Sequence, residues 1–445
     1  MGIYGQFRKI KKRFSKNMIL SKNIRASFDN KHTGMYPNAL ILDDKGDKEY
    51  MSFTVPNMVM NDRNILAVDY NRKYITAAYQ RLIDTGYQVD IIDVSHMMSS
   101  VHYNPMDKKY IKSVSDIEDV VTCIIENTKS AAEACLTDSI LKDSFNLLML
   151  LYIYANQKMT EKTLHSADII LNDTEFDYIK NVIDFAKESP DSICAEKYKK
   201  AADILEVQIK RNAAGETDNA VVCYVKKILN YCVTPGIIRS ITDSDNLTIG
   251  NFPAKRRALF FNIEQAHAGY AAALISMIYM QVYKSYRNYD LKNSSDYIRP
   301  ITIYYNLKSK AYLRNFEDME TVYKTRNNKD VKNEDNGERI VRTKISWVFI
   351  SDKDSSYVNF LNIVDYIVYF KFNENGALPL IEFLNLTAIS KHVPKLKIKK
   401  HIPQNMDEMN EAVGYNDCLI WARKINYPIV SERATLENLI KERTQ

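Results

Sequence analysis

The sequence predicts an α/β fold: a central, parallel-rich sheet flanked by helices, with an all-α domain inserted into it. Three observations carry this prediction. A strand, a helix and a second strand follow one another over 65–94. A block of consecutive helical periods then runs over 114–243. Short, wholly apolar strands resume at Ala258. Apolar runs of about five residues are the mark of strands buried on both faces, as parallel strands between helical layers are. At 445 residues the chain exceeds one simple core, and two to three domains are expected.

The elements follow in order. Residues 1–35 read as a basic lead-in with few core positions. Its Arg8, Lys9, Lys11, Lys12 and Arg13 suit a solvated chain end. Residues 39–42 (ALIL) form the first strand, stopped by Asp43, Asp44 and Gly46. Residues 65–69 (ILAVD) form a buried strand ending in a carboxylate. The helix after it places Ile75, Ala78, Tyr79, Leu82 and Ile83 on one face, and Gly86 stops it. With the strand at 89–94, this makes a right-handed crossover in a parallel sheet.

Helices are expected over 116–128, 138–157, 161–171, 175–187, 195–212 and 216–231, with Pro190 and Pro235 as punctuation. The strands at 258–262, 301–305, 346–350 and 366–370 restore the α/β pattern, and 418–422 reads as the last strand. Helices are expected over 266–286, 315–324, 377–384 and 436–443. Residues 327–338 (NNKDVKNEDNGE) lack core positions and read as an exposed loop. The resulting organisation is a lead-in (1–35), a first α/β part (36–112), an all-α insert (113–243), a second α/β part (244–430, with a flexible loop at 327–340) and a C-terminal helix (431–445).

Composition excludes several classes. The longest apolar runs, 145–155 and 270–283, fall short of the ~20 residues of a membrane span. The six cysteines contain no CxxC pair, which fits a reduced, cytoplasmic protein. His96 and His102 are six apart, which is no ligand spacing on a helix or strand, and no metal site is expected. No nucleophile-elbow motif is present. A net charge of +6 permits contact with nucleic acid without requiring it. The alternating KLKIKK at 395–400 suits a lysine-blunted edge strand better than a DNA contact.

The order of strand, phosphate-loop position, crossover, helical insert and remaining strands resembles the TraG/TraD-type coupling proteins of type IV secretion and conjugation. These are hexameric, RecA-like and FtsK-like DNA motors with a P-loop NTPase fold, and the form found in mobile elements of Gram-positive bacteria is the most similar. The stretches that carry the resemblance are 17–30 (NMILSKNIRASFDN), 38–57 closing in Val55-Pro56-Asn57, and ILAVDYN with its Asp69. Tyr103-Asn104-Pro105, 314–326 (RNFEDMETVYKTR) and Asp417-Cys418-Leu419-Ile420 add to it. The resemblance covers nearly the whole chain and implies a RecA-like domain, with a helical insert that takes part in recognising cargo.

The departures fall on the nucleotide chemistry. A phosphate loop needs glycines for close backbone approach, a lysine for the β and γ phosphates, and a hydroxyl for Mg²⁺. Over 43–50 this chain has Asp43, Asp44, Lys45, Gly46, Asp47, Lys48, Glu49 and Tyr50. Glu49 stands for the lysine and Tyr50 for the hydroxyl. Four carboxylates face the place of a triphosphate, a repulsive field in a desolvated pocket. The first acidic motif keeps Asp69, which alone suits a cap, but reads Asn71-Arg72 where the family has Lys-Gly. The second acidic motif reads Asn306-Leu307: an amide supplies no charge to Mg²⁺, and leucine cannot be a base. The sensor region ends in Ser351. Lys324 and Arg326 lie where the family has arginines and are basic contacts of interest. Read without the resemblance, LILDDKGDKEYMSFTV is also a fair β-hairpin. The family frame favours a loop and short helix instead.

The resulting expectation is a pseudo-ATPase with no catalytic residue, no metal and no cofactor, acting as a scaffold or adaptor. Its partners would be an active coupling ATPase, a relaxase–DNA complex or secreted substrates, in a homo- or hetero-oligomer. It would be cytoplasmic, reaching the membrane face through a partner. Two alternatives stay open. One is a divergent, working DNA translocase using ATP and Mg²⁺, with Lys45 or Lys48 standing in. The other is a nucleotide-independent DNA-binding component.

Overall fold

The computed structural model describes residues 17–28, 35–43, 47–96, 100–129, 137–289, 297–314, 316, 340, 343–351, 355–371, 380, 383, 417–423 and 429–434. The predicted helices at 436–443 and, for the most part, at 315–324 and 377–384 lie outside these residues. So do the loop at 327–338, the KLKIKK stretch, and Arg8 to Arg13.

The strands are β1 (Asn17–Ile19), β2 (Arg25–Ser27), β3 (Ala39–Asp43), β4 (Asn64–Tyr70), β5 (Gln88–Asp93), β6 (Arg257–Ile263), β7 (Ile301–Asn306), β8 (Ile345–Ser351), β9 (Tyr366–Lys371), β10 (Asp417–Ala422) and β11 (Ile429–Glu432). Nine of them form one sheet in the order β11-β10-β9-β3-β8-β7-β4-β6-β5. The seven from β9 to β5 are parallel, and β10 and β11 continue the sheet antiparallel. The α/β, parallel-rich reading therefore holds.

Alternation along the strands divides the core between the two faces. Leu40, Leu42, Leu66, Val68, Leu259 and Phe261 point to one side. Ala39, Ile41, Ile65, Ala67, Ala258 and Phe260 point to the other. Both sets are apolar because both faces are covered, which explains the wholly apolar strand sequences.

One face carries α1 (residues 47–60) and α2 (Lys73–Asp84), together with the β1–β2 hairpin. Within 43–57 the described residues are the end of β3 and a helix from Asp47, and no second strand of a hairpin follows over 47–57. The hairpin corrects the expectation of a lead-in with few core positions: Met18, Ile19, Leu20 and Ala26 are all buried. Asn57 explains how it is held. Its Oδ1 accepts from Ile19 N at 2.8 Å, and its Nδ2 donates to Ile19 O at 2.8 Å. The closing Val-Pro-Asn is therefore a joint between helix and hairpin.

The other face carries α10 (Ala268–Arg287) and the insert: α3 (Val114–Thr128), α4 (Asp138–Lys158), α5 (Ser166–Leu171), α6 (Asp177–Glu188), α7 (Glu196–Ala213), α8 (Ala220–Cys232) and α9 (Gly236–Thr242). Its buried side chains join those of α10 and of the sheet in one apolar cluster. Tyr103-Asn104-Pro105 pins its base. Tyr103 OH donates to Gln281 Oε1 at 2.8 Å, Gln281 Nε2 donates to Pro105 O at 3.1 Å, and Asn104 Nδ2 donates to Lys162 O at 2.7 Å.

Two further expectations are corrected. Residues 418–422 are not the last strand, since β11 pairs beyond them. Pro235 punctuates as expected, standing between α8 and α9 as the residue before α9. The helix expected from residue 161 begins at Ser166, because the Ser166 and Thr163 hydroxyls bond the 163–165 backbone as a turn.

Candidate functional site

Open parallel sheets bind ligands beyond the carboxyl ends of their strands, where successive connections diverge. Here the chain leaves β3, forms α1 and returns in β4, with β8 and β7 between the two strands. At that point Glu49, Asp69, Lys73, Tyr74, Asn306 and Lys308 line a cleft of about 120 Å³. Ligand pockets commonly measure about 300–1,000 Å³.

Asp43 ends β3 and is buried. Its Oδ2 accepts from Lys48 N at 2.8 Å and from Glu49 N at 2.7 Å. These are the first amides of α1, the groups that a phosphate would use at a helix N-terminus. The chain's own carboxylate takes that place.

Glu49 follows, 1% exposed. Tyr74 OH donates to both of its carboxyl oxygens, at 3.3 and 3.2 Å, and Thr54 Oγ1 donates to Oε1. Thr54 reaches it because α1 widens into a π-helix over Tyr50–Thr54, where Val55 N bonds Tyr50 O. A π turn brings residues five apart onto one line, and such turns are frequent at functional sites. Burial, followed by the nearby Asp43, pushes the Glu49 carboxyl well above its usual range. Tyr50 stacks on Tyr74, with ring centroids 6.0 Å apart. Glu49 and Tyr50 thus fill the space beside α2. The side chain of Lys48 is half-buried. Asp44, Lys45 and Gly46, and the side chain of Asp47, lie outside the described residues.

Asp69 ends β4 and turns inward. Its Oδ1 accepts from Tyr74 N at 3.0 Å and its Oδ2 from Ile75 N at 2.8 Å, so it caps α2. Burial raises its carboxyl to about 6, against the helix amides that lower it. Between it and α2 lie Asn71 and Arg72, both left-handed at φ 57° and 58°. Such a conformation is uncommon outside glycine. Arg72 Nη1 pairs with Asp93 Oδ2 at 2.5 Å, and Arg72 N donates to Asn262 Oδ1 at 2.9 Å.

Asn306 ends β7, and its Oδ1 accepts from Lys308 N at 3.0 Å. Leu307 is buried in the apolar cluster of the insert side, away from any acid–base role. Ser351 is buried at the end of β8, beside Leu42. Lys324 and Arg326 lie outside the described residues.

The structure thus brings Glu49, Asp69 and Asn306 to one cleft, with Asp43 bonded to the Glu49 amide beside it. Lys73, Tyr74, Gln265 and Lys308 also line the cleft and were not expected there. Lys73 and Tyr74 had a signal, since both follow the strand-end Asp69 in the first turn of α2. Gln265 and Lys308 had none beyond following β6 and β7. Among the described residues no cluster of three or more His, Cys, Asp or Glu has metal-binding geometry.

No protein-family model and no curated protein matches the sequence. Solved structures do match over nearly the full chain. The bacterial conjugative coupling protein TrwB, lacking its first 70 residues and unbound, is similar at 8% identity and a TM-score of 0.55, covering 97% of this chain and 92% of that one. The plasmid coupling protein TrwB in complex with ADP and Mg²⁺ is similar at 9% identity and a TM-score of 0.54, covering 99% and 95%. VirB4 of Thermoanaerobacter pseudethanolicus is similar at 9% identity and a TM-score of 0.50, covering 96% and 98%. What these proteins share with this chain is the fold. Among the described residues no single helix is long and apolar enough to cross a membrane.

Proposed function

We propose that this chain is a coupling-type protein of conjugation or type IV secretion that no longer uses nucleotide and works as a scaffold or adaptor. The observation that carries this is the Asp43 carboxylate on the amides of Lys48 and Glu49. A phosphate arriving there must displace a bonded anion and then meet Glu49 where a lysine should be. The donor set does not suit Mg²⁺-nucleotide either. Asp69 already accepts from the α2 amides with both oxygens, and Asn306, which carries no charge, already accepts from Lys308 N. The fold is retained, with the helical insert as the surface for partners. Those partners would be an active coupling ATPase, a relaxase–DNA complex or secreted substrates. The protein would sit in the cytoplasm, reaching the membrane face through one of them.

A divergent NTPase is the competing function. It would need Lys45 or Lys48 to reach phosphate, and Asp69 to leave α2 for the metal. Titration calorimetry with Mg²⁺-ATP, paired with a phosphate-release assay, separates the two. The scaffold gives no binding heat and no release. Micromolar binding with turnover would falsify it.

A further inference from the structure

The connection that follows β7 does more than leave the sheet. It starts in the cleft, where Asn306 caps Lys308. Lys310 then takes a left-handed conformation, φ 49°, and Tyr305 OH donates to Ala311 O at 2.5 Å, which folds the segment back on its own strand. From there two hydrogen bonds reach the insert. Tyr312 N donates to Asn127 Oδ1 at 2.9 Å, and Arg314 Nε donates to Asp119 Oδ1 at 2.9 Å. Both acceptors belong to α3. They are themselves fixed: Asn127 Nδ2 donates to Ser276 Oγ at 2.9 Å, and Lys284 holds Asp116 at 2.7 Å and also Asp119. Asp119 is 8% exposed, while its ion-pair partners Lys284 and Arg314 are partly open to solvent.

We infer that residues 306–314 are a strap that makes the cleft end of β7 and insert helix α3 one cooperative unit. Two features support a strap over a passive loop. It is short, with internal bonds at each step that resist stretching. Its far end grips buried charge, so release leaves Asp119 short of a partner and is costly. A partner that moves α3 would therefore move Asn306 and Lys308, and a group entering the cleft would move α3. Such coupling is reciprocal by necessity. It requires no nucleotide and holds whether or not the scaffold function proposed above is correct.

Hydrogen exchange read by mass spectrometry on the full chain tests this. Asn306→Ala removes the cap in the cleft and touches nothing on α3. The strap predicts that it speeds exchange of the 114–128 amides by about threefold or more, as for coupled rather than independent sites. In a background carrying both Arg314→Ala and Asn127→Ala the two anchors on α3 are gone, and Asn306→Ala then adds no further change in α3, while still loosening 307–309. Arg314→Met, which keeps side-chain length but has no donor, takes the place of Arg314→Ala if that variant folds poorly. Unchanged α3 exchange in Asn306→Ala, or the same added effect of Asn306→Ala in that doubly substituted background, would overturn the inference.

Discussion

The two ends of the central sheet treat buried polar side chains in opposite ways. At the amino end they reach across strands. Asn38 Oδ1 accepts from Trp347 N, joining β3 to β8. Arg63 donates to Thr302 Oγ1, Ile301 O, Lys344 O and Ser346 Oγ, joining β4 to β7 and β8. Asn64 accepts from Arg257 N, and Arg257 pairs with Asp90 at 2.5 Å, joining β4, β6 and β5. At the carboxyl end, Asp43, Asp69, Asp93 and Asn306 each turn forward onto amides two to six residues on. The amino end is a cross-linked seam. The carboxyl end is mainly a row of local caps, with Asp93 also accepting from Arg72 and from Asn262 of β6, and it occupies the place where a parallel sheet meets its ligand. The chain's own carboxylates organise this end.

Substitutions at the two ends should therefore differ in size and kind. The largest effect is expected at the seam. Arg63→Ala strips donors from buried carbonyls on two strands and should cost about 3–5 kcal/mol in urea denaturation. A loss under about 1 kcal/mol would mean that the seam does not hold the sheet. At the cap end, Asp69→Ala should cost about 1–2 kcal/mol, the value of a helix cap, with Asp69→Asn recovering part of it.

The pH dependence sharpens the contrast further. Asp69 holds its proton to about pH 6 in the folded chain, against 3.8 unfolded. The folded state binds the extra proton between those values, so stability falls as pH rises across that window. Glu49 acts in the same sense, starting from 4.5. Glu49→Gln keeps the side-chain shape and one acceptor oxygen for Tyr74 and Thr54, replaces the other by an amide nitrogen, and has no charge to bury. It should gain about 1 kcal/mol or more at pH 8 and nothing at pH 4. Equal stability of wild type and Glu49→Gln at pH 8 would refute a destabilising buried carboxyl. The smallest effect is expected at the left-handed turn: Asn71→Gly should stabilise by about 0.5–1 kcal/mol if the strain has no use.

Much of this was legible in the sequence, for identifiable reasons. The parallel strands showed because both faces are buried and alternation is lost. The departure from a phosphate-loop pattern is read from residue types alone. That Asp43 itself bonds the Lys48 and Glu49 amides was not legible: a strand-end aspartate reads equally as a turn former. The π turn joining Glu49 to Thr54 leaves no periodic mark in five residues. The β1–β2 hairpin was missed because three-residue strands carry too little pattern, and their burial depends on Asn57, far along the chain. The strap from Asn306 to Arg314 was hidden because its anchors on α3 lie nearly two hundred residues earlier.

The central claim is that Asp43 holds the amides a phosphate would need. Hydrogen exchange over 43–60, with and without saturating Mg²⁺-ATP, tests it at the residues concerned. The claim predicts that protection of the Lys48 and Glu49 amides is already present without nucleotide and unchanged by it. It also predicts that the protection is lost in Asp43→Ala. Protection at these amides that appears only when Mg²⁺-ATP is added would contradict it.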